Sequence, residues 1–267
     1  MLSDRQSQIL NIAKRHGRVQ VEDLAQRYEV SVQTIRKDLN DLCDQRLLSR
    51  VHGGAVISSG VENVGYDARR GIAAGEKAAI GRAVADLIPN NASLFVNIGT
   101  TTEAVATSLL RHTGLMVITN NINVATAMRP YPDIEVVIAG GVVRRSDGGI
   151  VGEAAVDFIR QFRVDFAVIG VSAIDPDGSL LDYDYREVRV AQAIISNARH
   201  VILASDATKF ERSAPVRIGH LSQVNTFVTD HCPVPSIHAV CAEHRVALVE
   251  ALQPARSETA ALPEAVD

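Results

Sequence analysis

Apolar positions recur with helical spacing in three short segments at the start of the chain. Residues 4–16 put Ile9, Leu10 and Ile12 on one side, with Ser3 or Asp4 as the cap. Residues 21–28 put Leu24, Ala25 and Tyr28 on one face. After a tight turn at Glu29-Val30, Ser31 caps a third helix over 31–45, with Ile35, Leu39 and Leu42 inward. Two strand-like stretches, 47–51 and 55–57, flank Gly53-Gly54 and predict a small β-hairpin. The pattern then changes to short continuous apolar runs between amphipathic stretches. Strands are predicted at 94–98, 115–119, 134–139, 166–171, 201–205, 226–229 and 246–249. Helices are predicted at 76–88, 102–111, 122–128, 154–161, 185–198 and 236–244. Continuous apolar strands alternating with helices predict an α/β fold, a mostly parallel sheet covered on both faces.

The stretches between these blocks set the expected domain limits. Residues 58–75 are rich in Gly and Ser with no sustained period, the mark of an interdomain linker. Residues 253–267 are polar and rich in Ala, Pro and Glu, and are expected to be disordered. The expected division is 1–57 as an N-terminal head, 58–75 as linker, 76–252 as the body and 253–267 as a tail. No internal repeat is evident.

Composition narrows the class. Of 267 residues, 46% are apolar and 22% charged, an ordinary globular mix. There is no Trp and only 4% is aromatic, so the core rests on Val, Ile, Leu and Ala. The net charge of −4 is uneven: residues 1–57 carry nine Lys/Arg against seven Asp/Glu, leaving −6 for the rest. A mildly basic head on an acidic body suits a protein whose head alone meets nucleic acid. The three cysteines, Cys43, Cys232 and Cys241, are widely spaced and form no metal-binding pattern, so no metal and a reduced, cytoplasmic compartment are expected. Cys43, beside core Leu42, reads as structural. No signal-peptide core and no apolar run of membrane-spanning length is present.

VEDLAQRYEVSVQTIRKDLNDL has the helix–turn–helix spacing in which the second helix enters the DNA major groove. Its first turns offer Gln33, Thr34, Arg36 and Lys37. Gln pairs with adenine and Arg with guanine in bidentate fashion, while Thr34 and Lys37 suit phosphates or base edges. Ser31 offers a hydroxyl and nearby N–H groups to a phosphate. The bland alternative is a helical hairpin with a solvated polar face. The hairpin that follows, with Arg50 and His52 beside Gly53-Gly54, makes a wing able to approach the DNA backbone.

In the body, LFVNIG runs directly into GTTTEAVA. Gly99 permits a tight turn, and Thr100 and Thr101 open a helix whose N-terminal N–H groups suit a phosphate. The segment matches neither the P-loop nor GxGxxG, and a structural cap is its plain alternative. A second strand ends at Asn120, a third at Gly140-Gly141, and Arg144 and Arg145 follow in VVRRSDGGIVGE. Three strands thus deliver polar or glycine-rich carboxyl ends, where parallel sheets bind ligands. LLDYDYREV adds Asp182, Asp184 and Glu187 as hydroxyl acceptors or helix caps. SDATKF adds Asp206 and Lys209, the latter a counter-ion for phosphate.

SVQTIRKDLNDL followed by LLSRVHGGA resembles the winged-helix signature of the DeoR family of bacterial regulators, and the likeness extends over residues 3–250. It implies a sensor domain of the type shared with ribose-5-phosphate isomerase and CoA transferases. It implies double-stranded operator DNA and a small phosphorylated metabolite as partners, with sn-glycerol 3-phosphate as inducer, and no cofactor. By the same likeness Asn97, Gly99, Thr100, Thr101, Asn120, Gly140, Gly141, Arg145, Glu187 and Lys209 lie at the effector pocket. The family carries Asp where this sequence has Asn97, which bonds hydroxyls without bringing charge. Two-fold operators point to a homodimer or homotetramer. The leading expectation is a repressor of glycerol 3-phosphate metabolism released by effector. The alternatives are a regulator answering another phosphorylated sugar, an activator with the same parts, or a sugar-phosphate isomerase using Asp206, Lys209 and Glu187.

Overall fold

The N-terminal pattern folds as three helices and a small sheet: α1 (Asp4–His16), β1 (Arg18–Gln20), α2 (Val21–Arg27), α3 (Val32–Asp44), β2 (Leu48–Val51) and β3 (Gly54–Ile57). The computed structural model describes residues 2–16, 18–44, 47–51, 53–57, 63 and 65–251. Wing residue His52 and the expected tail 253–267 lie outside the described residues. Ile9, Ala13, Leu24, Ile35, Leu39, Leu42 and Leu48 bury one core. The hairpin gains a third strand that the sequence pattern did not disclose, in the order β1-β3-β2. β1 is too short for alternation to register, but Val19 is buried and Gln20 pairs with Gly54. A Cβ on Gly54 would stand 2.0 Å from the Val19 carbonyl oxygen, so only glycine lets β1 and β3 approach this closely. Polar ties lock α3 onto α1: Arg5 Nε donates to Asp38 Oδ2 at 2.6 Å, and Gln6 Nε2 to Asp41 Oδ2 at 3.1 Å.

The chain continues through α4 (Tyr66–Gly71), α5 (Ala74–Leu87), β4 (Ser93–Val96), α6 (Thr100–Ser108), β5 (Leu115–Thr119), α7 (Ile122–Met128) and β6 (Ile134–Ile138). A two-stranded ribbon, β7 (Val142–Val143) with β8 (Ile150–Val151), leads to α8 (Glu153–Ile159) and β9 (Val164–Ile169). Then come β10 (Ala173–Ile174), β11 (Ser179–Asp182), α9 (Tyr185–Ser196), β12 (Ala198–Ala204), β13 (Val216–His220), β14 (Thr226–Thr229), α10 (Pro235–His244) and β15 (Ala247–Glu250).

All seven expected strands of the body join one sheet in the order β15-β14-β12-β9-β4-β5-β6, and every ladder in it is parallel. Both faces are buried, which is why these strands read as unbroken apolar runs. Helices α5, α6 and α7 cover one face through Ile80, Val84, Val105, Leu109 and Met128. Helices α8, α9 and α10 cover the other through Ile159, Val190, Ile194 and Ile237. The strand order reverses direction between β4 and β9, a topological switch point, and ligands bind in the crevice at the carboxyl ends of strands there. Two features departed from the sequence pattern. A small antiparallel sheet, β10-β11-β13, sits beyond the main one. The expected linker, 58–75, contains α4 and the start of α5. Helix α4 buries no residue of its own, so no apolar stripe marked it.

Candidate nucleic-acid face and effector site

Helix α3 presents Gln33, Arg36 and Lys37 to solvent, opposite the buried Ile35, Leu39 and Leu42. The base-reading set is therefore free to meet a groove. Ser31 is occupied locally: its Oγ accepts the Thr34 N–H at 3.2 Å and pairs with the Thr34 hydroxyl at 2.8 Å. Both hydroxyls serve the helix start first, as a Ser N-cap does. Arg50 is exposed and donates to the Gly54 carbonyl oxygen at 3.2 Å, bracing the wing. Cys43 is half-buried, and burial pushes its thiol up, which fits a structural role.

The second site lies at the carboxyl ends of the main sheet. Leaving β4, the chain buries Asn97, turns at Gly99 (φ +147°) and enters α6. Thr101 is buried and Thr100 half-buried in the first turn of that helix. Thr102 completes the turn, its hydroxyl within 2.7 Å of the Asn97 and Gly99 carbonyl oxygens. Asn120 follows β5 and is fully buried, its Nδ2 donating to the Ile150 carbonyl oxygen at 3.1 Å. Ser205 and Asp206 follow β12 and are buried beside Lys209.

Three cations act on Asp206, in order Lys209, Lys77 and Arg212, and Arg69, on the side of α4, acts in turn on Lys209. Lys77 and Lys209 are 4% and 8% exposed, depths at which an ammonium needs an anion. Burial lowers Lys209 to about 7 and Lys77 to about 8. Burial also opposes ionisation of Asp206, yet Lys209 and Lys77 hold its carboxyl below the usual range. Asp206 is the buried carboxylate facing these three cations, and Glu76 and Glu211 act on Lys77 and Arg212 from half-buried and exposed positions. A second cluster adjoins it: Arg144 bonds Asp147 at 2.7 Å, Asp184 at 3.1 Å and Glu187 at 2.5 Å. Burial raises both Asp182 and Glu187, and the charge of Asp182 adds to the rise of Glu187. Arg69 bridges the clusters, with Nη2 3.2 Å from Asp147 Oδ2.

Seven buried polar atoms in the described residues have no hydrogen-bond partner: Asn63 Oδ1, Arg69 Nε, Asn97 Oδ1, Asn120 Oδ1, Ser205 Oγ, Asp206 Oδ2 and Arg212 Nη1. Asn97, Asn120, Ser205 and Asp206 follow the carboxyl ends of three strands, and the others belong to segments against them. Unsatisfied buried groups are rare, and a set of them at one end of a sheet marks a place for a polar ligand.

Of the expected effector residues, Asn97, Thr101, Asn120, Glu187 and Lys209 are buried at this end of the sheet, with Gly99 and Thr100 at its α6 edge. Arg145 is not brought in: it is exposed, while its neighbour Arg144 makes the inward bonds. Gly140 and Gly141 stand exposed at the end of β6, and a Cβ on Gly140 would meet nothing within 4 Å. The sequence pattern passed over Lys77, Arg69 and Arg212. Lys77 had a visible signal, since it falls on the buried stripe of α5 with Ile80, Gly81 and Val84, where a charge is out of place. Among the described residues no group of three or more His, Cys, Asp or Glu is placed to hold a metal ion, and no helix is long and apolar enough to cross a membrane.

Residues 5–60 match the DeoR-like helix-turn-helix domain, and residues 72–231 the DeoR C terminal sensor domain. The chain is 46% identical over 246 residues to the glycerol-3-phosphate regulon repressor of Escherichia coli (strain K12), covering 92% of this chain and 98% of that one. It is 48% identical over 229 residues to the Haemophilus influenzae protein of the same name, covering 86% and 89%. Among solved structures, ribose 5-phosphate isomerase from Plasmodium falciparum superposes on 52% of this chain and 53% of its own, with 14% identity and a TM-score of 0.38.

Proposed function

The chain belongs to the DeoR family, and from that premise we propose that it is a cytoplasmic DNA-binding repressor of glycerol 3-phosphate metabolism genes, released from its operator by sn-glycerol 3-phosphate. The observation that carries the effector assignment is the buried excess of cations around Asp206, with unpaired donors on Arg69 and Arg212. A phosphate monoester, near −2 at neutral pH with three acceptor oxygens, supplies the missing anion. The amides opening α6 at Gly99–Thr101 add donors. Asn97, Asn120 and the carboxyl groups of Asp182 and Glu187 suit the hydroxyls of a short polyol. A site with cations on one side and carboxyl groups on the other therefore suits a molecule that is phosphate at one end and alcohol at the other.

The DNA half of the proposal rests on the exposed Gln33, Arg36 and Lys37 of α3, with Arg50 on the wing. A two-fold operator needs an even number of subunits, so a homodimer or homotetramer is part of the reading. Effector and operator then weaken each other by the same factor. Titrating the chain onto promoter DNA of glycerol 3-phosphate genes, with and without saturating sn-glycerol 3-phosphate, tests it. Release is expected. Unchanged DNA affinity together with no thermal shift refutes this inducer, and a shift with a different sugar phosphate reassigns it. The reading makes the chain a regulator and not an enzyme. Turnover of pentose or hexose phosphates that is lost in Lys209→Ala would reverse that.

A further inference from the structure

Residues 61–71 fall between the two family matches, which end at 60 and resume at 72. Yet the described part of that stretch, residues 63 and 65–71 continuing to Ile72, forms a strap bonded to the body at three places. Asn63 Nδ2 donates to Ser172 Oγ at 3.0 Å, and Ser172 Oγ in turn to Asp182 Oδ2 at 3.0 Å. Tyr66 Oη donates to Glu103 Oε2 at 2.8 Å and accepts from Asn123 Nδ2 at 3.0 Å. Arg69 pairs with Asp147. From the other side, the Lys77 ammonium donates to two strap carbonyls, those of Arg69 and Ile72, the latter at 2.6 Å.

These bonds are what hold the strap. Helix α4 contributes no fully buried side chain, so polar bonds carry much of what fixes its position. The tie from Arg69 ends on Asp147 of the acidic cluster and that from Asn63 reaches Asp182 through Ser172, and two strap atoms, Asn63 Oδ1 and Arg69 Nε, are buried without a partner. The opposite side of the strap faces the DNA-binding head. Ala68, Gly71 and Ile72 line a cavity of about 890 Å³ together with Arg18, Val51 and Val56 of the head. One short segment therefore borders both the buried cations and the winged helix.

We propose that the strap is a ligand-binding arm. Arg69 is a phosphate ligand of the effector site, and Lys77 exchanges its bonds between the strap carbonyls and the phosphate. The inference rests on the phosphate-monoester reading above. In the ligand-free chain Lys77 spends two of its three donors on the end of α4. A dianion among Lys77, Lys209 and Arg212 draws that ammonium away and takes the free Nε–H of Arg69 in its place. The strap then takes its position from the ligand, and the head joined to it by residues 57–65 follows. The ligand class is a phosphate monoester small enough to be closed over by a one-and-a-half-turn helix.

The test uses the full-length chain, with sn-glycerol 3-phosphate and inorganic phosphate as probes. Calorimetry gives affinity for the wild type, Arg69→Gln and Arg69→Lys. Hydrogen exchange gives protection of strap amides 66–72 in the wild type, which needs no variant to fold. Arg69→Gln is expected to bind about tenfold to a hundredfold more weakly, the cost of one charged hydrogen bond, with partial recovery in Arg69→Lys. Ligand is expected to change strap exchange by at least about tenfold. If the wild type binds glycerol 3-phosphate with unchanged strap exchange, or Arg69→Gln binds as well as the wild type, the arm is refuted and the effector reading stands. If neither probe binds the wild type, the effector reading itself fails, and the arm with it.

Discussion

Replacing Lys209 by methionine should stabilise the ligand-free protein while removing its response to effector. Lys209 is 8% exposed, and burial brings its ionisation from 10.5 to about 7. Between those values the unfolded chain holds a proton that the folded chain has released. Stability therefore rises with pH through that window, and the penalty is complete below pH 7. At about 1.4 kcal/mol per pH unit, the buried ammonium costs the fold about 4 kcal/mol at pH 7. Methionine keeps the length of the side chain and drops the charge. The shift already nets the attraction to Asp206 against burial, so the gain is of the same order, about 4 kcal/mol, or roughly 8–16 °C in the melting of the sensor domain. Thermal melts at pH 7 and pH 10 measure this directly. The advantage of Lys209→Met should shrink at pH 10, where the wild-type lysine is already neutral. At pH 7, effector at a hundredfold excess over its Kd should add about 2.7 kcal/mol to the wild type and little to the variant. A variant that melts at or below the wild type at pH 7, or whose advantage persists at pH 10, would show that Lys209 is not a charge held against the fold.

Three other outcomes are expected. Affinity for sn-glycerol 3-phosphate should decline as pH rises from about 7 to 9, since Lys209 and then Lys77, at about 8, lose their protons; calorimetry in buffers of different ionisation enthalpy should register proton uptake, and a flat profile counts against ammonium–phosphate contact. Arg36→Ala should weaken operator binding by about 1–3 kcal/mol, mainly on the cognate sequence, whereas a uniform loss with a salt slope lower by about one assigns Arg36 to phosphate. Gly54→Ala, whose Cβ would stand 2.0 Å from the Val19 carbonyl oxygen, should cost the head about 3 kcal/mol and abolish operator binding while calorimetry still detects effector; retained DNA binding would mean β1 and β3 can part.

Much of the fold was legible because burial on both faces imposes a local signature. LFV, MVI, VVI and VILA are apolar without interruption, and each is a strand of the central sheet. The register of those strands, which places β4 beside β9, left no local trace. The same division runs through the site. Asn97, Asn120 and Lys209 follow strand ends, so a reading of where strands stop could find them. Arg69 pairs with Asp147, 78 residues on, and Arg212 is buried beside Asp206 only in the fold, so both look locally like solvated charges. Arg144 and Arg145 are adjacent and chemically alike, and what separates them is the set of partners of Arg144: Asp147 nearby, and Asp184 and Glu187 some forty residues on. Helix α4, inside the expected linker, left no mark in the pattern because hydrophobic periodicity reports buried apolar side chains, and no residue of this helix is fully buried.

The separate cores have a consequence during synthesis. The winged helix closes its own core by residue 57 and shares none of it with the body. The effector site is complete only when β12 and Lys209 have emerged, about 150 residues later. At roughly 5–20 residues per second that interval lasts about 8–30 s. Each new chain therefore carries a folded DNA reader for some seconds before it can sense, and a product truncated before β12 would remain a reader without an ear.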